Sequence, residues 1–135
     1  MSVLLAAIAG FGLGAIVGSF IAVILIRWPE GRSALGGRSR CDRCDAVLGP
    51  AELVPILSYL IARRRCRRCG AAIDPRHFLV EVGAALVGLV AAVAHPPETA
   101  VVTALFGWWL LLIAALDLEH QWLPDRLPLP LLPLG

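Results

Sequence analysis

Residues 3–26 form an uninterrupted apolar run, VLLAAIAGFGLGAIVGSFIAVILI, which contains no charged side chain and is followed at once by Arg27. A helix needs about 20 mostly apolar residues to cross a bilayer. A signal peptide, the alternative, begins with a basic region and has an apolar stretch of only about 7–15 residues. Because this run is longer and has no basic residue before it, it predicts a retained membrane-spanning helix.

Two further apolar runs follow, at residues 78–94 and 101–116, and Glu81 interrupts the first of them. The two prolines between the runs are expected to break any helix. Apolar residues make up 59% of the chain and charged residues 16%, against roughly 45–50% and about 25% in soluble domains. We therefore expect an all-α membrane protein with three spans. The apolar piece at residues 127–135 is interpreted as the start of a fourth span.

Glycines in the first span recur at a spacing that favours close helix packing. Gly10 and Gly14 are four residues apart, as are Gly14 and Gly18, and Gly12 lies between them. Small residues at this spacing let the backbones of two membrane helices approach each other. We expect the first span to pack against a second helix at these positions.

Positive charge is concentrated between the first two spans. Residues 27–77 contain 11 of the 12 arginines and five acidic residues, and the chain has no lysine. Arginine-rich segments beside membrane helices stay in the cytoplasm, so we expect this loop to be cytoplasmic and the N-terminus to lie outside. The chain then divides into a first span (residues 1–26), a cytoplasmic loop (27–77) and a region with the other two spans (78–135), whose Asp117 reaches the cytoplasmic edge.

All four cysteines lie in the basic loop and form two C-x2-C pairs, Cys41 with Cys44 and Cys66 with Cys69. Two such pairs can supply the four thiolates of a tetrahedral zinc site, and 21 residues separate them, close to the spacing of zinc patterns. Disulfides or free thiols are the alternatives, but a reducing cytoplasm disfavours disulfides. The pattern predicts a zinc-ribbon-like loop that a structural metal ion holds together.

Acidic residues follow the third apolar run directly, and Asp117, Glu119 and Asp125 all fall in the segment DLEHQWLPD. Ionisable groups beside a span are candidates for function, and a pair of carboxylates can share a proton and activate water. On one helix Asp117 and Glu119 would lie on different faces, since side chains at i and i+2 do not meet. The alternative is that these residues are the solvated polar end of the helix.

The arginine-rich loop also suggests partners. Anionic lipid headgroups attract basic residues near a membrane by roughly 1 kcal/mol each. Zinc knuckles and arginines occur together in nucleic-acid-binding proteins as well, but this loop is tethered to the membrane at both ends and lacks interleaved aromatic residues that could stack on bases. We expect membrane lipid, and not nucleic acid, to be a partner.

Three blocks of sequence, taken in order, resemble the bacterial prepilin peptidases, also called type IV leader peptidases, an inner-membrane aspartic protease family. The blocks are GSFIAVILIRWP, then CDRC with ELVPILSYLIARRRCRRCGAAIDPRHFLVEV, and ALDLEHQWLPDRL. The resemblance runs from about Gly18 to Pro130. It implies cleavage of type IV prepilin or pseudopilin leader peptides at the cytoplasmic membrane face, and in many members methylation of the new N-terminus with S-adenosylmethionine.

The resemblance also implies roles for single residues. The family's first catalytic aspartate falls on Asp117, and Asp125 falls on the supporting aspartate of the family's L-P-D segment. Glu119, also expected to be supporting, stands where an aspartate is common. Ala22 stands where the family usually has Asn, and the family's second catalytic block, G-x-G-D, does not occur in these 135 residues. We therefore expect a fragment or a truncated gene. The alternative function is a catalytically inactive membrane zinc module that docks partners or anionic lipid.

Overall fold

The computed structural model of the chain describes residues 2–41 and 43–121. Within those ranges the chain is helical and has no β-strand, only two isolated β-bridges in the loop. Three of its helices are long and apolar enough to cross a membrane, which confirms the predicted fold class; the expected start of a fourth span lies outside the described residues. The helices are α1 (Val3–Arg27), α2 (Leu57–Ile61), α3 (Pro75–Ala94) and α4 (Pro97–His120), with a 3-10 turn at Pro50–Leu53.

Helices α3 and α4 both begin a few residues ahead of their apolar runs. The Asp74 side chain caps α3 by accepting a backbone N–H of the first turn at 2.9 Å, and Pro75 takes the first helical position. Helix α4 also has a proline, Pro97, at its first position, but no side chain caps it. Proline suits this position because a backbone N–H there would have no acceptor inside the helix, so its absence loses no hydrogen bond. Only His95 and Pro96 therefore separate the two helices.

Helices α1 and α3 run antiparallel and approach each other closely, as the glycine spacing predicts. A Cβ placed on Gly14 would lie 2.8 Å from the Cα of Ala85, and one on Gly18 would lie 2.7 Å from the Cα of Glu81. Gly12 faces elsewhere, and a Cβ there would meet nothing within 4 Å. The predicted close packing is confirmed at Gly14 and Gly18, where the backbone of α3 fills the space of a side chain.

Helix α4 packs mainly on α3 and completes the core between the three long helices. Its Trp108 is buried, and the indole Nε1 donates to the carbonyl oxygen of Ala84 at 2.9 Å. This bond satisfies the one polar atom of the ring inside an apolar interface. At the C-terminal end of α4, Nε2 of His120 lies 3.3 Å from the carbonyl oxygen of Leu25. The end of α4 is therefore held beside the end of α1.

Candidate functional site

The basic loop contains two copies of one backbone turn, each built on a C-x2-C pair. In the first copy, the N–H of Cys41 donates to Ala46 O at 3.0 Å, and Cys41 O accepts from the N–H of Asp45 at 2.9 Å. The second copy repeats both bonds at Cys66, with distances of 2.8 and 2.9 Å. The residue after the second cysteine has a positive φ in each copy, 56° at Asp45 and 70° at Gly70. Glycine suits this left-handed conformation better than aspartate does.

The sulfur atoms of the two turns meet in one cluster. The Sγ of Cys41 lies 3.8 Å from that of Cys69, and the Sγ of Cys44 lies 4.0 Å from that of Cys66. All four sulfurs are within 4.8 Å of one another, and all four are free thiols. Sulfurs placed tetrahedrally at about 2.3 Å from a zinc ion are about 3.8 Å apart. The cluster that the spacing predicts is therefore formed, and it could hold a metal ion.

Two of the thiols, Cys44 and Cys66, bind their protons with different strength. The backbone N–H groups of Cys69 and Arg68 lower the pKa of the Cys66 thiol from 9.0 to about 6. The N–H of Ala46 lowers the pKa of Cys44, but desolvation and hydrogen bonds with the other three thiols outweigh it and raise that pKa to about 11. Cys66 is thus more ready than Cys44 to act as a thiolate ligand, the form that binds metal.

Arginines flank the four cysteines in the sequence, and most of them form no ion pair with an acid among the described residues. Arg40 Nη1 binds the Asp45 carboxylate at 2.9 Å. Arg43, Arg67 and Arg68 form no ion pair within the described ranges. Four thiolates around a divalent cation would carry a net charge of −2, and nearby guanidinium groups lower the electrostatic cost of that charge.

A cavity of about 200 Å³ lies between the cysteine loop and the long helices. Its wall includes Arg27 of α1, Tyr59 of α2 and Cys66 of the cysteine cluster, together with His77 and Glu81 of α3. A space of this size can hold ordered water or a small ligand. Charged side chains from the loop and apolar side chains from the helices therefore meet at one end of the bundle.

Glu81 has a structural partner that its position in the sequence does not reveal. The side chain is buried, and Oε2 accepts the N–H of Ile56 at 2.7 Å. Ile56 itself has a φ of 62°, which a β-branched residue rarely adopts. The bond from α3 therefore helps to hold an unfavourable backbone conformation just before α2.

Asp117 and Glu119 lie in the last turn of α4, at the end of the bundle where the cysteine loop is, but their surroundings differ. Asp117 is exposed, and within the described part of the chain its carboxylate has no hydrogen-bond or ion-pair partner. Glu119 Oε2 instead accepts from Arg76 Nη1 at 3.0 Å. Asp125, the remaining acid of the segment, lies outside the described residues.

Arg76 binds two acidic residues, Asp74 and Glu119, whose proximity the sequence does not indicate. Its Nε donates to Oδ2 of Asp74 at 2.7 Å, while Nη1 reaches Glu119. The hydrogen bonds from Arg76 lower the pKa of the Asp74 carboxyl below its ordinary value. A local signal for part of this arrangement exists, because an aspartate followed by proline is typical of a helix start. No feature of the sequence near Arg76 indicates its bond to Glu119.

These features define a class of protein: a bundle of membrane-length helices in which a basic loop between the first two spans can hold a metal through four cysteines. Comparison with known proteins identifies the group. The chain belongs to the family of the bacterial peptidase A24 N-terminal domain, whose model matches residues 13–95. That match covers most of α1, the loop and α3, and it confirms the resemblance to prepilin peptidases.

Individual relatives extend the similarity into α4. The chain is 44% identical to a prepilin leader peptidase/N-methyltransferase of Dichelobacter nodosus, over 72% of this chain and 34% of the relative. It is 38% identical to a Pseudomonas aeruginosa protein of the same name, over 91% and 51%. A type 4 prepilin-like proteins leader peptide-processing enzyme of Escherichia coli O78:H11 is 33% identical, over 83% and 49%.

The chain therefore spans about half the length, or less, of these curated relatives. No solved structure matches it.

Proposed function

We propose that this chain supplies the membrane helices, the cysteine loop and the first catalytic aspartate of a prepilin leader peptidase. The substrates would be type IV prepilins or pseudopilins, cut after their leader peptides at the cytoplasmic face of the bacterial inner membrane. The observation that carries the proposal is the exposed, unpaired carboxylate of Asp117 at the loop end of α4, in a chain whose relatives are named for this activity.

In the proposed reaction Asp117 is the general base. Its carboxylate takes a proton from water as the water oxygen attacks the scissile carbonyl carbon, and a second carboxylic acid protonates the leaving amine. The family's G-x-G-D block is not among these 135 residues, so the proposal assigns that second acid to polypeptide outside them. Glu119 would support the site by holding the end of α4 through Arg76, and Asp125 would be a further supporting residue.

Zinc is the metal that the cysteine cluster fits best. Four sulfurs at near-tetrahedral separations complete the coordination of Zn²⁺ and leave no position open for water or substrate. An ion held there would therefore be structural and would stabilise residues 27–77 as a small cytoplasmic domain. S-adenosylmethionine would be a second cofactor if this protein shares the N-methyltransferase activity in its relatives' names.

The orientation follows from charge. Because Arg-rich segments stay in the cytoplasm, the proposal places the loop and Asp117 on the cytoplasmic side and the start of α1 outside. The link between Arg76 and Glu119 supports a common side for the loop and the end of α4. Residues 78–135 would then contain two spans and the first part of the aspartic peptidase domain.

The test is cleavage of a purified prepilin by protein made from the complete reading frame. Asp117→Asn is expected to lower the cleavage rate by at least about 10³-fold, as loss of an acting catalytic group does, with unchanged thermal stability. Glu98→Gln, in the first turn of α4 at the opposite end of the bundle, is the matched control and should cleave normally. Cleavage by the Asp117→Asn variant at the wild-type rate would refute the catalytic assignment.

A further inference from the structure

The short helix α2 exposes a face of large apolar side chains. Leu57, Leu60 and Ile61 are 53%, 54% and 58% exposed, and their i, i+3, i+4 spacing places them together on the helix. Leu53 and Val54, which precede α2 and are separated from it by Pro55 and Ile56, are 47% and 43% exposed. A contiguous apolar surface of this kind marks a contact with a membrane or another partner.

The opposite face of α2 is anchored to the first two turns of α3. The buried Tyr59 stacks on Phe78, with ring centroids 4.9 Å apart and ring planes at 16°. Glu81 holds the residue before α2 through the Ile56 N–H at 2.7 Å. At 1.5 Å per residue, Phe78 and Glu81 lie within about 10 Å of the start of α3. Helix α2 is therefore held close to the level at which α3 would enter the bilayer.

A run of arginines follows the apolar face, and no carboxylate in the described part of the chain pairs with them. Among the described residues, the only arginines of the whole loop that form ion pairs with carboxylates are Arg32, Arg40 and Arg76. The exposed arginines that remain unpaired directly after α2 are Arg63, Arg64, Arg65, Arg67 and Arg68. Their charge is therefore available to an anionic partner.

We propose that residues 53–68 bind the anionic surface of the same bilayer that α1, α3 and α4 cross. Leu57, Leu60 and Ile61 insert at the boundary between headgroups and acyl chains, and the arginines contact lipid phosphates. Amphipathic segments that combine leucine with basic residues lie in this interface, and anionic headgroups attract the arginines. The proposal depends on membrane insertion of the long helices and is independent of peptidase activity.

The test is trypsin cleavage of the whole chain in lipid nanodiscs, which leave both membrane faces open to the protease. Cleavage after Arg63 and Arg64 should be about tenfold slower in discs containing phosphatidylglycerol than in discs of phosphatidylcholine alone. High salt should restore most of the rate, because salt screens the attraction to the surface. Cleavage after Arg32, which is paired with Glu30, is the internal control and should respond by less than about twofold.

A variant tests the apolar contribution. Trypsin should cleave the double variant Leu60→Ser, Ile61→Ser in phosphatidylglycerol discs almost as fast as it cleaves the parent in phosphatidylcholine discs. The control Leu35→Ser changes a leucine that is 86% exposed and lies elsewhere in the loop, and it should keep the protection. Helical content by circular dichroism, together with the cleavage rate after Arg32, shows whether each variant is folded.

Two results for the parent protein would overturn the proposal without any variant. Fast cleavage after Arg63 and Arg64 in both lipids would mean that the segment is solvated. Slow cleavage in both lipids and also in detergent would mean that polypeptide, and not lipid, covers α2.

Discussion

Arg76 joins the start of α3 to the end of α4, because its Nη1 donates to Oε2 of Glu119 at 3.0 Å. The same guanidinium binds Asp74, which caps α3 and follows the second cysteine turn. One side chain therefore connects the cysteine loop to the helical turn that contains Asp117. The cysteine loop and the proposed catalytic carboxylate share this support.

Arg76→Ala is expected to lower the free energy of unfolding by about 1 kcal/mol, since partly exposed ion pairs contribute roughly 0.2–1 kcal/mol each and two are lost. Thermal unfolding in detergent measures the change, and a double-mutant cycle with Glu119→Gln isolates the contact between α3 and α4. Arg32→Ala is the control, because both side chains of its ion pair are more than half exposed, at 52% and 58%. Equal losses in the two variants would argue against a contribution from Arg76.

The contact between Asp74 and Arg76 should make stability depend on pH in acid. Hydrogen bonds from Arg76 lower the pKa of Asp74 below its ordinary 3.8. The carboxylate therefore stabilises the fold fully above that value, and the contribution is lost as pH falls through the lower folded-state pKa. Asp74→Asn keeps a side chain that can cap the helix but removes the titration.

Melting temperatures of the parent and of Asp74→Asn, compared across pH, measure this effect. The advantage of the parent should be constant from about pH 7 to about pH 5 and should shrink below about pH 4. An advantage that persists unchanged at about pH 2 would contradict the assignment.

Gly14→Ala should separate α1 from α3. The new Cβ would lie 2.8 Å from a backbone atom of Ala85, and a backbone cannot turn aside as a side chain can. Overpacking of this kind costs about 1–3 kcal/mol. Gly12→Ala is the matched control on the same helix, where the Cβ meets nothing, and it should be neutral or stabilising by up to about 1 kcal/mol. Unfolding in detergent compares the two variants, and equal stability would disprove the close approach.

Purified protein should contain one zinc ion per chain if the four sulfurs hold it. Cys66→Ser is expected to lose the ion, and a chelator should make the parent loop more sensitive to protease, because metal binding contributes to the folding of small metal domains. His120→Ala keeps all four sulfurs and should keep the metal. Metal analysis by mass spectrometry gives the stoichiometry, and a folded loop that contains no metal would exclude a structural zinc site.

Glu81→Ala should release α2 from α3. The Ile56 N–H would lose the acceptor that now lies at 2.7 Å, and an unsatisfied buried donor costs about 1–3 kcal/mol. Glu81→Gln keeps a carbonyl acceptor and should retain most of the stability, while Glu98→Ala, on exposed α4 surface, is the control. Hydrogen exchange at the Ile56 amide reports the release, and slow exchange in Glu81→Ala would show that the bond does not anchor α2.

The spans and the cysteine cluster could be predicted because short stretches of sequence determine them. The length and apolar character of residues 3–26 are sufficient for a spanning helix, and the prolines mark both the break and the start of α4 at Pro97. The two C-x2-C pairs form equivalent turns with the same hydrogen bonds. Asp45 and Gly70 occupy equivalent positions in the two turns, and both have a positive φ. Glycine favours this conformation, so the residue type indicates it at Gly70 but not at Asp45.

The contacts around the proposed site could not be predicted, because they join residues that are distant in the chain. Arg76 and Glu119 are 43 positions apart, and Ile56 and Glu81 are 25 apart. Several arginines could have paired with either acid, and only the packing of α3 against α4 and of α2 against α3 selects the partners. That the Asp117 carboxylate has no partner among the described residues is likewise visible only in the structure, where Arg76 binds Glu119.

The two cysteine turns lie on either side of α2 in the chain, one towards α1 and the other close to α3. An ion bound by all four sulfurs would close the intervening polypeptide into a ring. A single backbone cut inside that ring would leave both products attached to each other through the ion, in addition to the packing of α1 against α3. The first two membrane helices would thus stay tethered even after the peptide chain between them has been severed.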